Sequence, residues 1–204
     1  MWHHKLKLYV ITDPHVGDLI NAIKLALEGG ATAIQLRMKE GPARETVEIG
    51  KLTRKLTREY DALLIVNDRI DIAMAIDADG VHLGSKDIPI EDARRIWNGI
   101  IGATARTPKD AMNAEKNGAD YIGAGSVFPT STKEDTIVIG VETLKRIVEN
   151  VNIPVVAIGG INHENAPSVL RTGVMGIAVV SAVMGAKDIK KAANELRKIV
   201  DSFI

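Results

Sequence analysis

The chain has 204 residues, with 26 basic and 26 acidic side chains and no cysteine. Balanced charge argues against nucleic-acid binding, and the lack of cysteine excludes disulfides, thiolate nucleophiles and cysteine-bound metals. No apolar run approaches the about 18 residues of a membrane span, and the first residues lack the apolar core of a secretion signal. We therefore expect a cytoplasmic protein without nucleic-acid or membrane partners, whose oligomeric state the sequence leaves open.

Eight short apolar runs recur along the chain, and each is followed by a polar turn and a helical pattern. Their Ile and Val content, mostly without polar alternation, is typical of parallel strands buried on both faces. Segments 18–28, 143–148 and 186–200 have the periodicity of amphipathic helices. The runs cover residues 7–12, 33–37, 63–67, 80–83, 100–105, 121–124, 155–158 and 177–180.

A weak repeat supports this count. Segments 29–31, 117–120 and 172–176 each place a glycine where a helix ends in a left-handed residue before a strand. Eight strand–helix units predict an α/β fold, a single-domain (β/α)8 TIM barrel over residues 1–204. An open doubly wound sheet is the alternative, but even spacing without a long interruption favours closure. In a barrel, active-site residues follow the strands at the C-terminal mouth.

The second run ends in two polar residues with strand spacing. Gln35 and Arg37 share one face, opposite Ile34 and Leu36. If the aliphatic pair packs on helices, the amide and the guanidinium point into the barrel. A buried arginine needs an anionic partner, which predicts either an anionic ligand or an ion pair, for example with Asp68.

Two carboxylates follow the third and fourth runs. Asp68, next to Asn67, and Asp87 suit a hard cation such as Mg²⁺, which takes one or two protein carboxylates and completes its shell with water and phosphate oxygens. The alternative is helix capping, with Asp68 before a helix near Arg69 and Asp87 before a helix at Pro89.

The segment 123–136, which begins within the sixth run and continues beyond it, is long for a connection. It places the hydroxyls of Thr130, Ser131 and Thr132 directly before Lys133, a combination that suits a phosphorylated ligand. The alternative is a polar surface loop with a turn at Pro129.

Glycines and a serine follow the last two runs. Gly159 and Gly160 precede a helix predicted to start in segment 162–165, and Ser181 follows Val180. In barrels, the loops after strands 7 and 8 are the recurrent phosphate site, although tight turns without a ligand would have the same residues. His82 lies on the inward side of its strand, where a hydrogen-bonded core histidine and a catalytic one are equally compatible with the pattern.

In chain order, these segments resemble the thiamine phosphate synthase family over about Tyr9 to Val183. The glycine and serine motifs are common singly, whereas Pro-Thr-x-Thr-Lys together with the other five is specific. The matching segments are Gln-Leu-Arg-Met-Lys (35–39), Asn-Asp (67–68), His-Leu-Gly-Ser-Lys-Asp (82–87), Pro-Thr-Ser-Thr-Lys (129–133), Gly-Gly-Ile (159–161) and Val-Ser-Ala (180–182).

The resemblance implies a Mg²⁺-dependent transferase that joins a hydroxymethylpyrimidine diphosphate to a thiazole phosphate, carboxylated or not, and releases diphosphate. It implies catalytic roles for Arg37, Lys39 and Lys133, and metal binding by Asp68 and Asp87. The substrate-binding residues that it implies are Gln35, Arg37, Met38, Lys39, Asn67, Thr104, Thr130, Ser131, Thr132, Lys133, Gly160, Val180 and Ser181.

The chain departs from the family pattern at two positions. Thr104 stands where serine is usual, and Arg106 stands near where many relatives carry histidine. Three other functions compete with the transferase. A thiazole tautomerase of the same superfamily would need neither a diphosphate-binding lysine nor a metal pair, and a non-catalytic ligand-binding regulator would not need Asp68 and Asp87. A phosphosugar epimerase or aldolase would need a base or a Schiff-base lysine, for which Lys39 is the one strand-end candidate.

Overall fold

The computed structural model describes residues 1–130 and 137–204, and its strands form a closed, all-parallel barrel. Neighbouring strands pair in sequence order, and β8 closes on β1, with Leu8 opposite Ile177. The predicted TIM barrel is therefore confirmed, and the open sheet is wrong. The strands are β1 (Leu8–Ile11), β2 (Ala33–Leu36), β3 (Leu63–Asn67), β4 (Gly80–Leu83), β5 (Ile100–Ala105), β6 (Tyr121–Gly125), β7 (Val155–Ile158) and β8 (Gly176–Val179).

Helices separate the strands and begin at recognisable caps. Asp18 accepts a hydrogen bond from Asn21 N at the start of α1, and Thr107 forms a capping box with Asp110 at the start of α5. Asp188 caps the last helix as Asp18 caps α1, by accepting a hydrogen bond from Lys191 N. The helices are α1 (Leu19–Glu28), α2 (Ala43–Glu59), α3 (Ile70–Ala75), α4 (Ile90–Ile96), α5 (Pro108–Lys116), α6 (Gly140–Glu149), α7 (Ala166–Leu170), α8 (Ser181–Met184) and α9 (Ile189–Asp201), preceded by a 3₁₀ turn (His3–Leu6).

Glycines end three helices as the repeat predicted. Gly30, Gly118 and Gly173 have φ angles of 104°, 101° and 87°, a conformation that side chains with a Cβ rarely adopt. The predicted helix start in segment 162–165 agrees with the structure to within one residue, because Asn165 is the N-cap of α7, which begins at Ala166. Asn162 accepts hydrogen bonds from the backbone N–H groups of Glu164 and Asn165 in the turn that leads into this helix.

Apolar side chains fill the space on both sides of the strands. Ile34, Leu64 and other outward residues pack under the helices, whereas Tyr9, Ile65 and Tyr121 belong to a cluster inside the barrel. Leu6, from the 3₁₀ turn, is fully buried in this inner cluster. The interior is thus a packed core over most of its depth, as expected for eight strands.

Arginine–aspartate pairs connect neighbouring strands just before β4 and β6. Arg54 donates two hydrogen bonds to Asp79, which also accepts from Leu64 N. Arg94 donates to Asp120, which accepts from Ile101 N in the same manner. These pairs precede their strands, at the end of a barrel where polar contacts serve stability, so the opposite end is left for the site.

Candidate active site

A cavity of about 170 Å³ opens among the carboxyl ends of the strands. All eight strands, or the residues directly after them, contribute to its wall. This position is the one expected for the active site of a TIM barrel. The residues predicted from the sequence that line the cavity are Gln35, Arg37, Asn67, Thr104, Thr130, Gly160, Val180 and Ser181.

Strand β2 directs an amide and a guanidinium into the cavity. Gln35 is 4% exposed and Arg37 is half-buried, while Ile34 and Leu36 pack outward under the helices. Thr12 Oγ1 accepts from Arg37 N at 2.9 Å and so holds the end of β2 against β1. Within the described chain, the Arg37 guanidinium has no ion pair within 4 Å, so the predicted pair with Asp68 is not formed. Its charge faces a cavity that can hold an anion.

Asp68 and Asp87 lie near each other beside the cavity, without lining it. Burial, and then the charge of Asp87, raises the pKa of the Asp68 carboxyl above its ordinary value, while Lys39, Arg69 and Arg37 act in the opposite direction. The Asp68 carboxylate, after β3, interacts with Lys39 after β2 and with Asp87 after β4. The charged groups that follow these three strands therefore lie close enough to act on one another.

Neither carboxylate caps a helix, so the capping alternative is wrong for both. Asp68 accepts from Asn67 Nδ2 at 2.7 Å, and the helix that follows has no side-chain cap. Asp87 accepts from Gly84 N at 2.6 Å within its own loop, and α4 likewise begins without a side-chain cap. Asp68 has a φ of 54°, an uncommon backbone conformation that turns the chain at the end of β3.

The donor set fits a magnesium ion bound together with substrate. Over residues 1–130 and 137–204, no group of three or more His, Asp or Glu side chains could enclose a metal by itself. Mg²⁺ does not need such a cage, because it is usually held by one or two carboxylates and by phosphate oxygens of the substrate. Asp68 and Asp87 can supply the two carboxylates.

Three loops meet on the other side of the cavity. Gly159 and Gly160 have φ angles of 101° and 64°, and a Cβ on Gly160 would lie 2.4 Å from Pro129 O. Glycine is therefore required where the loop after β7 passes the loop after β6. Asn165 Nδ2 donates to Gly160 O at 2.9 Å and fixes the turn. Thr130, Val180 and Ser181 complete this wall.

Some predicted residues do not line the cavity. Met38 packs partly buried against the apolar cluster outside the barrel, because it follows Arg37 and so points to the opposite side of the chain. Lys39 is exposed at the rim, near Asp68. Ser131, Thr132 and Lys133, together with Glu134 and Asp135, lie outside the described residues.

Sequence reasoning missed Tyr9 and Tyr121 as site residues. Both line the cavity, with Tyr9 2% and Tyr121 0% exposed, and their hydroxyls lie 2.9 Å apart. A signal was available, since both occupy inward positions of their strands, but buried tyrosines look like ordinary core residues. Arg106, whose role the sequence left in doubt, also lines the cavity, and His82 does so between Tyr121 and Thr104.

With this geometry established, comparison with known proteins identifies the family. Residues 8–183 match the family model described as thiamine monophosphate synthase. The chain belongs to the thiamine monophosphate synthase family. The predictions of this family and of a transferase enzyme are therefore confirmed. Across the described chain, no helix is both long and apolar enough to cross a membrane.

Named relatives show how completely the chain follows this family. It is 62% identical to the thiamine-phosphate synthase of Pyrococcus furiosus, over 98% of each chain, and 52% identical to that of Archaeoglobus fulgidus, over 97% of this chain and 95% of the relative. A solved structure of thiamine phosphate pyrophosphorylase from Pyrococcus furiosus superposes with a TM-score of 0.96 at 60% identity, with all of both chains covered.

Proposed function

We propose that the protein condenses 4-amino-2-methyl-5-(diphosphooxymethyl)pyrimidine with a thiazole phosphate, carboxylated or not, to give thiamine phosphate and diphosphate. The observation that carries this proposal is the arrangement of charges at the cavity. Arg37 lines it without a protein counter-ion in the described chain, and Lys39, Asp68 and Asp87 lie together beside it. Such a site suits a ligand that carries its own anion and shares a metal with the protein.

The reaction needs charge stabilisation rather than a nucleophilic side chain. The pyrimidine amino group donates electrons into the ring, the C–O bond to diphosphate breaks, and the thiazole nitrogen attacks the resulting carbocation. We propose that Arg37, Lys39 and Lys133 stabilise the negative charge that develops on the departing diphosphate. Mg²⁺ held by Asp68 and Asp87 would neutralise part of the same charge.

The opposite wall supports a place for the second substrate. We propose that the phosphate of the thiazole binds to Thr130, Ser131 and Thr132 and to the backbone at Gly160, Val180 and Ser181. Glycine allows a phosphate to approach the main chain, and hydroxyls add oriented donors. The pyrimidine would lie against Gln35, Asn67 and Thr104. Other residues of segment 35–39 would complete the binding site of the pyrimidine diphosphate.

The decisive experiment combines the purified protein with both precursors and Mg²⁺ and measures thiamine phosphate and diphosphate together. We expect equal amounts of the two products with the metal and almost none in EDTA. Asp87→Asn and Lys133→Ala should each abolish turnover and leave the thermal unfolding transition in place. Asp77→Asn is the control, since Asp77 is an exposed aspartate that pairs with Arg58 on the surface.

Two results would contradict the proposal. One is the absence of product from the unmodified protein under these conditions, in particular if it isomerises a thiazole phosphate instead. The other is a rate that does not change when Mg²⁺ is removed, which would argue against a metal at Asp68 and Asp87.

A further inference from the structure

A chain of hydrogen bonds between five cavity-lining side chains crosses the interior of the barrel. Gln35 Nε2 donates to Tyr9 Oη at 2.8 Å, and Tyr9 Oη lies 2.9 Å from Tyr121 Oη. Tyr121 Oη lies 3.0 Å from His82 Nδ1, and His82 Nε2 lies 3.0 Å from Thr104 Oγ1. Each residue comes from a different strand, so only barrel closure brings them together.

Glycines on neighbouring strands make room for the two central rings. A Cβ on Gly102 would lie 2.1 Å from Cζ of Tyr121, and a Cβ on Gly123 would lie 2.7 Å from Cε1 of His82. Both distances are far below a carbon–carbon contact, so the rings lie directly on glycine backbone. Two tyrosine hydroxyls and an imidazole occupy space that apolar side chains could fill. We therefore assign this hydrogen-bond series to the site and not to the packing of the core.

This series of hydrogen bonds runs in one donor-to-acceptor direction, because each hydroxyl carries one hydrogen. Burial raises the pKa of both Tyr9 and Tyr121, so the hydroxyls stay protonated. The Gln35 amide nitrogen donates to Tyr9, whose hydrogen is then directed to Tyr121. With a neutral imidazole, Tyr121 in turn donates to Nδ1 of His82, which accepts there and carries its hydrogen on Nε2. The opposite direction would leave the Tyr9 hydrogen facing an amide N–H group, a buried and unsatisfied arrangement.

The residues at the two ends of this hydrogen-bond series, Gln35 and Thr104, are thereby oriented for a ligand. Thr104 Oγ1 accepts from His82 and keeps its own hydrogen to donate into the cavity. Gln35, with its nitrogen bound to Tyr9, keeps its carbonyl oxygen as an acceptor. An aminopyrimidine offers the complementary groups, because its exocyclic amino group donates and its ring nitrogens accept.

We propose that Tyr9 and Tyr121 are positioning residues that fix the Nε2–H tautomer of His82, so that Thr104 and Gln35 present an oriented donor and acceptor to the aminopyrimidine. This inference rests on the proposed function for the identity of the ligand. The tautomer of His82 does not depend on that function and can be measured without substrate.

The kinetic test removes one hydroxyl and keeps the ring. Tyr121→Phe should raise KM for the pyrimidine diphosphate about five- to tenfold, the usual effect of one lost hydrogen bond, and leave KM for the thiazole phosphate unchanged. Tyr9→Phe, which removes the acceptor of Gln35 Nε2, should raise the same KM by a similar factor. Tyr60→Phe is the matched control, since Tyr60 follows α2 on the outside of the barrel, and it should match the unmodified protein.

The spectroscopic test uses ¹⁵N-histidine and long-range ¹H–¹⁵N correlation, in which the two neutral tautomers have different nitrogen shifts. His82→Asn identifies the His82 signal among the five histidines. We expect the Nε2–H tautomer in the unmodified protein and a larger share of the Nδ1–H tautomer in Tyr121→Phe.

The outcomes separate this inference from the proposed function. An Nδ1–H tautomer in the unmodified protein would overturn the positioning role even if Tyr121→Phe failed to fold. An active enzyme in which Tyr121→Phe changes neither the tautomer nor the pyrimidine KM would also overturn it, with the proposed function intact. An unmodified protein that forms no thiamine phosphate would overturn the function itself, and with it the assignment of the aminopyrimidine.

Discussion

The substitution Asp68→Asn separates the electrostatic role of this residue from its structural role. Asn is close to Asp in shape and tolerates a positive φ, here 54°, better than other residues. The new amide oxygen can still accept from Asn67 Nδ2, which now lies 2.7 Å from the carboxylate. The variant therefore removes a negative charge and retains the backbone and its nearest hydrogen bond.

Without metal, this variant should be more stable than the unmodified protein at neutral pH. Burial and Asp87 raise the folded-state pKa of Asp68 above its ordinary value of 3.8. A carboxyl with a raised pKa contributes stability that is present below pH 3.8 and is lost as the pH rises through the raised value. The neutral amide of Asn does not lose this stability as the pH rises. The free energies of unfolding of the two proteins should therefore differ at neutral pH and become equal below the ordinary pKa.

Turnover should change in the opposite direction. Loss of one of two proposed metal ligands removes charge stabilisation from the departing diphosphate, and we expect kcat to fall about a hundredfold or more. Thermal unfolding in EDTA measures the stability, and formation of thiamine phosphate at saturating Mg²⁺ measures the rate. Asp77→Asn is a close control, because Asp77 has nearly the same φ, 53°, but pairs with Arg58 on the surface.

Two results would refute this reasoning. A variant with near-normal turnover would show that Asp68 does not hold the metal. A variant that unfolds at a lower temperature than the unmodified protein at neutral pH, in EDTA, would show that the Asp68 charge does not oppose folding. Gains of stability on removal of site charges are common when a site is built for function.

Two further predictions concern packing and the cavity charge. Gly102→Ala should destabilise the protein by about 1–3 kcal/mol or more, because the new methyl group meets the Tyr121 ring, whereas Gly17→Ala, with nothing within 4 Å, should be nearly neutral in thermal unfolding. Arg37→Ala should lower kcat/KM about a hundredfold, with Arg58→Ala as an unaffected surface control; equal activities of the two variants would exclude Arg37 from diphosphate binding.

Local patterns were enough to predict the barrel and much of its mouth. Unalternating Ile and Val runs placed all eight strands to within one residue of their observed bounds. A period of two placed Gln35 and Arg37 on one face, and both line the cavity. These inferences succeeded because strand alternation and burial on both faces are properties of consecutive residues.

Local patterns did not predict contacts that depend on the position of a second strand. Asp68 and Asp87 look like caps as well as metal ligands in the sequence, and only the structure shows that each bonds within its own segment while they lie near each other. Met38, implied as a substrate-binding residue by the resemblance, has its side chain packed outside the barrel, and its role stays a prediction. In the sequence, neighbouring residues of a motif look equivalent, whereas a strand directs them to opposite sides.

The sequence by itself determined the number of strands, the class of fold and which residues follow each strand, because these follow from the period and composition of short segments. Only the tertiary structure decided which of those residues meet. Tyr9 and Tyr121 are 112 positions apart, and their hydroxyls come within 2.9 Å because the strands that carry them belong to one closed ring. Barrel closure is cooperative over the whole chain, so contacts of this kind cannot be found in any single segment.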